Sequence, residues 1–191
     1  ITVYKGVAAL SGGAVELLID DNDASELLDP AALTIDASAL NAHGFDFNDS
    51  NNNSDGDEDS LKTNLTITGG GKADTIFGSQ GHDTISGGGY TTGDGGDVLG
   101  GGSGNDSITG NAGPDTIYGE EGNDVMLAGG AGADSIQGGA GNDVLEGGTG
   151  ADVVQGDGGA DTLTGGAGND SFNYTAVTDS QTSAVDTITD F

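Results

Sequence analysis

GGSGNDSIT (101–109) decides how this chain is read, because GGAGNDVLE (138–146) and GGAGNDSFN (165–173) repeat it almost letter for letter. Each copy holds glycines, one aspartate and, two places later, one large apolar residue. Working outward on the D-x-apolar core gives the aspartates Asp74, Asp83, Asp97, Asp106, Asp115, Asp124, Asp134, Asp143, Asp152, Asp161 and Asp170. Two residues after each stand Ile76, Ile85, Leu99, Ile108, Ile117, Met126, Ile136, Leu145, Val154, Leu163 and Phe172. Eight of the ten spacings are nine residues; 83 to 97 is 14 and 124 to 134 is 10. A glycine lies two places before every one of these aspartates except Asp74, where Lys72 stands. Self-similarity at so short a period marks a stacked repeat architecture.

The composition sets the scale of the core. Of 191 residues, 39 are glycine, about three times the usual share; apolar residues make up 33% and there is no Trp. A core built from this chain is narrow and made mostly of Ile, Val and Leu. The 32 acidic residues face 3 lysines and no arginine, a net charge of −29. A phosphate backbone finds nothing here to neutralise it, so nucleic acid is excluded as a partner. Self-repulsion on this scale opposes a compact state unless counter-charge is bound. Cysteine is absent, which excludes disulfides and thiolate sites. No apolar run approaches the roughly 18–20 residues of a membrane span.

The repeat matches G-G-x-G-x-D-x-U-x, with U a large apolar residue, and resembles the nonapeptide of the RTX (repeats-in-toxin) calcium-binding family. The resemblance covers residues 69–173, about 55% of the chain. Each letter has a physical reason. Glycines at positions 1, 2 and 4 allow sharp turns and leave carbonyl oxygens unobstructed. The aspartate at position 6 adds a hard oxygen ligand suited to Ca²⁺. Positions 7–9 are extended, with one side chain inward and its neighbours outward. Each strand is about three residues long and needs the next coil, about 4.8 Å away, to be stable.

The resemblance implies an all-β fold: a right-handed parallel β-roll, or β-solenoid, with two repeats per coil. It also implies Ca²⁺ between stacked turns, held by the eleven aspartates and by alternate turn carbonyls such as those of Gly101, Ser103, Asn105, Gly138, Ala140, Asn142, Gly147, Thr149 and Ala151. Eleven repeats form at most nine stacked pairs, and so hold up to about nine ions. Calcium then offsets most of the charge.

Two interruptions break the period. Gly87–Thr91 reads as a bulged loop, with Tyr90 a surface ring covering the roll, and the extra residue near Leu127–Ala128 reads as a β-bulge. Calcium sites beside these breaks are expected to be weaker or absent. His82 occupies a variable turn position and His43 has no partner set; neither reads as a ligand or a catalyst.

The chain divides into a β-rich N-terminal segment (1–68), an eleven-repeat calcium-binding roll (69–173) and the start of a C-terminal capping segment (174–191). ITVY, VELLID, LTID and LTIT read as strands, and NAHGFDF as a turn. LTIT (65–68) runs straight into Gly69 and is expected to form the first coil. LTIDASAL followed by LTITGG resembles the lead-in to RTX blocks of bacterial S-layer and other surface proteins. DSNNNSDGDED (49–59) resembles half an EF-hand loop, but Lys62 replaces the closing Glu, so a solvated acidic loop is the expectation. The start of the chain, with neither Met nor secretory leader, reads as a processing point or the edge of a fragment. The closing segment is expected to continue in the family, or to be covered by a neighbouring chain.

No catalytic constellation is visible: no HExxH, no cysteine nucleophile, no credible Ser-His-Asp set. The leading expectation is a non-enzymatic, calcium-dependent structural roll of a secreted, extracellular cell-surface protein. An S-layer, fibre or adhesin subunit fits, exported unfolded as in type I secretion and partnered by calcium and by copies of itself in filaments. The alternative is the calcium-binding C-terminal part of a secreted RTX protease, lipase or cytolysin.

Overall fold

A computed structural model describes residues 15–16, 33–36, 45–48, 64–89, 95–175 and 184–190. Strands alternate between two parallel sheets. One sheet stacks β1 (Val15–Glu16), β3 (Phe45–Asn48), β5 (Thr75–Phe77), β7 (Val98–Ser103), β9 (Thr116–Glu121), β11 (Ser135–Ala140), β13 (Val153–Gly158) and β15 (Ser171–Phe172). The other stacks β2 (Leu33–Asp36), β4 (Leu65–Thr68), β6 (Thr84–Ser86), β8 (Ser107–Ala112), β10 (Met126–Ala131), β12 (Val144–Gly150), β14 (Thr162–Gly168) and β16 (Thr187–Ile188). This is the parallel β-roll the repeat predicts. Among the described residues there is no helix, and so none long and apolar enough to cross a membrane.

The roll closes because every repeat places one apolar side chain between the sheets. Ile76, Ile85, Leu99, Ile108, Ile117, Ile136, Leu145, Val154 and Leu163 are all buried to 1% exposure or less, and Phe172 packs partly buried at the end of the ladder. The backbone register pairs position 126 with Ser107, one place short of this slot. Leu127, 0% exposed, pairs with Ile108 and Leu145 and takes the inward position. The extra residue therefore lies between Asp124 and Leu127, ahead of the strand interior, and leaves Val125 60% exposed. Stacking decides this: the coil keeps both its aspartate and its apolar rung in register and pushes the slack outward.

From β7 to β14 the strands run to six or seven residues, twice the expected length. Pairing continues past the apolar rung into the glycine turn, as in Gly130↔Gly148 and Ala131↔Thr149. At position 2 of these turns the backbone is left-handed. Gly139 adopts φ 108°, and Asn111, Glu120 and Asp157 hold φ 80°, 76° and 65° at equivalent places. Outside glycine, such values are uncommon and favour Asn and Asp.

The sheets also run past both ends of the nonapeptide block. LTIT is not the first coil: β4 pairs with β6 above it and with β2 below, Leu33↔Leu65 and Ile35↔Ile67. FDFN, read as part of a turn, is strand β3, pairing with β5 through Phe47↔Ile76. At the other end β16 stacks on β14 through Leu163↔Ile188. The 49–59 stretch, His43, Tyr90 and the ITVY segment lie outside the described residues; of VELLID only Val15–Glu16 is described.

Candidate metal centres

The aspartates form two columns, one along each edge of the roll. Asp74, Asp97, Asp115, Asp134, Asp152 and Asp170 share one edge; Asp83, Asp106, Asp124, Asp143 and Asp161 share the other. Ten of these eleven are at most 2% exposed, with Asp170 half-buried. Each column is tied by its own carboxylates. The backbone N–H of one aspartate donates to Oδ1 of the aspartate in the next coil: Asp74 to Asp97, Asp97 to Asp115, Asp115 to Asp134, Asp134 to Asp152 and Asp152 to Asp170, at 2.8–3.0 Å. The opposite edge repeats this from Asp83 through Asp106, Asp124, Asp143 and Asp161.

The second edge does not end there. Asp161 N–H donates to Asp186 Oδ1 at 3.0 Å, so Asp186 is a further member of the column. The sequence reading assigned it to the cap. Its signal was present: DTI at 186–188 has the same letters as residues 74–76, 83–85 and 115–117. The 25-residue step from Asp161 takes it out of the nine-residue period. With Asp186 there are five carboxylate-to-carboxylate steps on each edge, one more than the nine stacked pairs expected. The breaks leave the ladder intact: Asp74–Asp97 and Asp83–Asp106 span the long loop at 2.8 Å, and Asp124–Asp143 spans the bulge at 2.8 Å.

The other carboxylate oxygens are the unusual feature. Oδ2 of Asp106, Asp124, Asp134, Asp143, Asp152 and Asp161 is buried with no hydrogen-bond donor in reach. Burial alone raises these acids, more than the N–H bonds to Oδ1 lower them. Asp106 and Asp143 are pushed up to about 7, Asp134 and Asp161 to about 6, and Asp124 and Asp152 upward. Neighbouring carboxylates in the column add to the rise at Asp106, Asp134, Asp143 and Asp161. Buried orphan oxygens cost free energy unless a partner is supplied. The chain has only 3 lysines to offer, so a bound cation is the natural partner.

The glycines shape room for one. A Cβ at Gly119 would stand under 3.0 Å from Asp124 Oδ2 and from the carbonyl oxygen of Gly138 in the next coil. Gly129 has the same relation to Asp134 and Gly147, and Gly110 to Asp115 and Gly129. The position-1 carbonyls of Gly138 and Gly147, expected as ligands, therefore face these gaps, while that of Gly101 faces the Asp83 turn. Those of Ala140 and Thr149 already accept N–H from Gly122 and Gly132 at 2.9 Å, with a second lone pair left over. Ser103 lies in the same turn as Gly101, its hydroxyl 3.4 Å from Glu121, and Ala151 is exposed beside Asp152. Asn105 and Asn142 act through their side chains, whose Oδ1 atoms accept N–H of Asn123 and Ala160. His82 belongs to the same edge ladder, Nδ1 accepting Asn105 N–H at 2.7 Å.

Sequence reasoning missed the other half of each gap. The carbonyls of Glu120 and Gly122 point forward, at Gly139 and Gly141 of the next coil. Alternating left-handed residues flip successive peptide planes, so each coil sends carbonyls both ways. Among the described residues no three carboxylate, imidazole or thiol groups converge. Each gap thus offers at most two carboxylates plus backbone carbonyls. An all-oxygen set of this kind fits Ca²⁺ and not the softer metals.

A family model described as the RTX calcium-binding nonapeptide repeat (4 copies) matches residues 66–89, 91–126, 126–154, 138–172 and 146–179, more than half of the chain. The chain belongs to the RTX calcium-binding repeat family. No curated protein and no solved structure matches it significantly. RTX repeats are calcium-binding. In this roll the residues that would hold the ion are the column aspartates with the glycine carbonyls of the two turns facing each gap, where it would supply the missing positive charge.

Proposed function

We propose that this chain is the calcium-dependent structural roll of a secreted bacterial surface protein, a subunit of an S-layer, extracellular fibre or adhesin, and that it is not an enzyme. The observation that supports this most is the row of six buried carboxylate oxygens without donors, in a chain of net charge −29. Such a chain stays open while calcium is scarce and closes where calcium is plentiful. Extracellular sites of this class bind at about 10⁻⁴–10⁻³ M, so they fill outside the cell and not in the cytosol. RTX proteins are typically secreted by bacteria, which suits export unfolded and folding outside. Among the described residues the sheets end in β1 and β2 on one side and β15 and β16 on the other, and such parallel stacks suit end-to-end association of copies.

Circular dichroism during a calcium titration tests the folding claim. Most of the strand signal should appear over the millimolar range and be lost on chelation; a chelated sample with unchanged signal overturns it. Negative-stain microscopy with and without calcium tests assembly. Calcium-dependent filaments or lattices support the surface-subunit reading; dispersed monomers favour the calcium-binding part of a secreted enzyme or toxin.

A further inference from the structure

We propose that the need for calcium changes along the roll. The coils up to Asp74 and Asp83 are held by protein donors alone and act as a cation-independent template, onto which the coils from Asp106 onward close as calcium binds. The proposal rests on the calcium-coupled folding put forward above and assigns that coupling to one part of the chain.

The first support is a substitution of chemistry at constant geometry. Leu65 stands where the repeat has its aspartate: Leu65 N–H donates to Asp83 Oδ1 at 2.7 Å, as Asp83 N–H does to Asp106. Leu65 and Ile67 are both 1% exposed, so this half-coil buries two apolar side chains where a later half-coil buries one and a carboxylate. Leu33 and Ile35 of β2 occupy the same register positions one coil earlier. A coil of this kind gains apolar burial and carries no buried charge that needs a counter-ion.

The second support is independent and concerns the first two aspartates. Asp83 Oδ2 accepts N–H of Ser79 at 2.6 Å while Oδ1 accepts Leu65 N–H, so both oxygens are satisfied by the protein. Asp74 Oδ2 accepts N–H of Gly70 at 2.6 Å. Neither Gly70 nor Ser79 has the positive φ found at the equivalent Gly102, Asn111, Glu120 and Gly130. These two turns are therefore a different conformer, in which the carboxylate caps its own turn. In the later turns the same oxygen of Asp106, Asp124, Asp134, Asp143, Asp152 and Asp161 has no donor. The self-capped carboxylates thus follow directly on the leucine positions, and the cation-requiring ones come after them.

Stacked repeats fold by adding coils to a formed neighbour. A template stable without calcium supplies that neighbour and its register, so that each ion closes one more coil.

Amide hydrogen exchange read by mass spectrometry on the full chain, in chelator and in excess calcium, tests this. In chelator, segments 64–68 and 75–86 should keep the protection they have in calcium, while segments across 107–164 exchange as an open chain. Equal loss of protection everywhere overturns the template and leaves calcium-coupled folding standing. Equal retention everywhere overturns both. Calcium counting by isothermal titration separates the two kinds of aspartate: Asp124→Asn should lower the number of ions bound, and Asp83→Asn should leave it unchanged. A lower count for Asp83→Asn also refutes the assignment.

Discussion

Two alanine substitutions of the same chemistry should have opposite effects. A methyl at Gly119 would sit under 3.0 Å from Asp124 Oδ2 and Gly138 O, and close to Leu127. None of these can retreat: one is a backbone carbonyl, and the others are fully buried. Overpacking of this kind costs about 1–3 kcal/mol. The methyl also fills the gap that would take the ion. At free calcium about tenfold above Kd, losing one ion that binds only the folded state removes about 1.4 kcal/mol. Gly119→Ala should therefore destabilise the calcium-loaded roll by about 2.5–4.5 kcal/mol. Gly158 is the control. Its added methyl would meet only Gly139 O at 3.8 Å, an ordinary contact, and its φ is not left-handed. Gly158→Ala should be neutral or stabilising by up to about 1 kcal/mol, because it restricts the unfolded chain. Urea unfolding at fixed calcium gives both values, and titration calorimetry gives the ion count. Equal effects of the two substitutions, or a full ion count in Gly119→Ala, would refute the assignment of this gap as a cation site.

Three further outcomes follow from the same geometry. In chelator the roll should be favoured by acid. The folded-state acids lie above the ordinary 3.8, at about 6 for Asp134 and Asp161 and about 7 for Asp106 and Asp143. Their contribution is thus full below about pH 4 and lost as pH rises through 6 to 7; circular dichroism that shows strand content rising over that window contradicts it. With calcium the direction reverses, since ligands must be deprotonated, and the calcium midpoint should climb as pH falls. Leu127→Ala should cost about 2–5 kcal/mol, against about 0.5 kcal/mol or less for the exposed Val125→Ala; similar costs in urea unfolding would mean the bulge is misplaced. Asp190, which accepts N–H of Gly165 and Gly166 at 2.8 Å and is thereby held below the usual carboxylate range, closes the last turn. Asp190→Ala should therefore abolish exchange protection of those two amides and leave Gly129 and Gly147 protected.

The nine-residue pattern was legible without coordinates because everything it encodes is local. A turn that needs glycine, a carboxylate beside it and one inward rung lie within one repeat, so Asp106–Ile108 or Asp143–Leu145 could be read letter by letter. Family, fold class and metal type follow from those letters. What lay beyond the letters depends on the neighbouring coil. Met126 and Leu127 are equally apolar, and only the rungs of Ile108 and Leu145 above and below choose Leu127. DTI at 186–188 is ordinary strand sequence until Asp161 N–H meets Asp186. LTI at 65–67 does not look like a repeat until its amide takes the place of an aspartate's beneath Asp83. The carbonyls that complete each gap come from two turns a whole coil apart in sequence, and their direction is set by backbone angles rather than by residue type. Local sequence specifies what a coil offers; the contact between coils, where stacking, register and burial are decided together, specifies which offers are taken up.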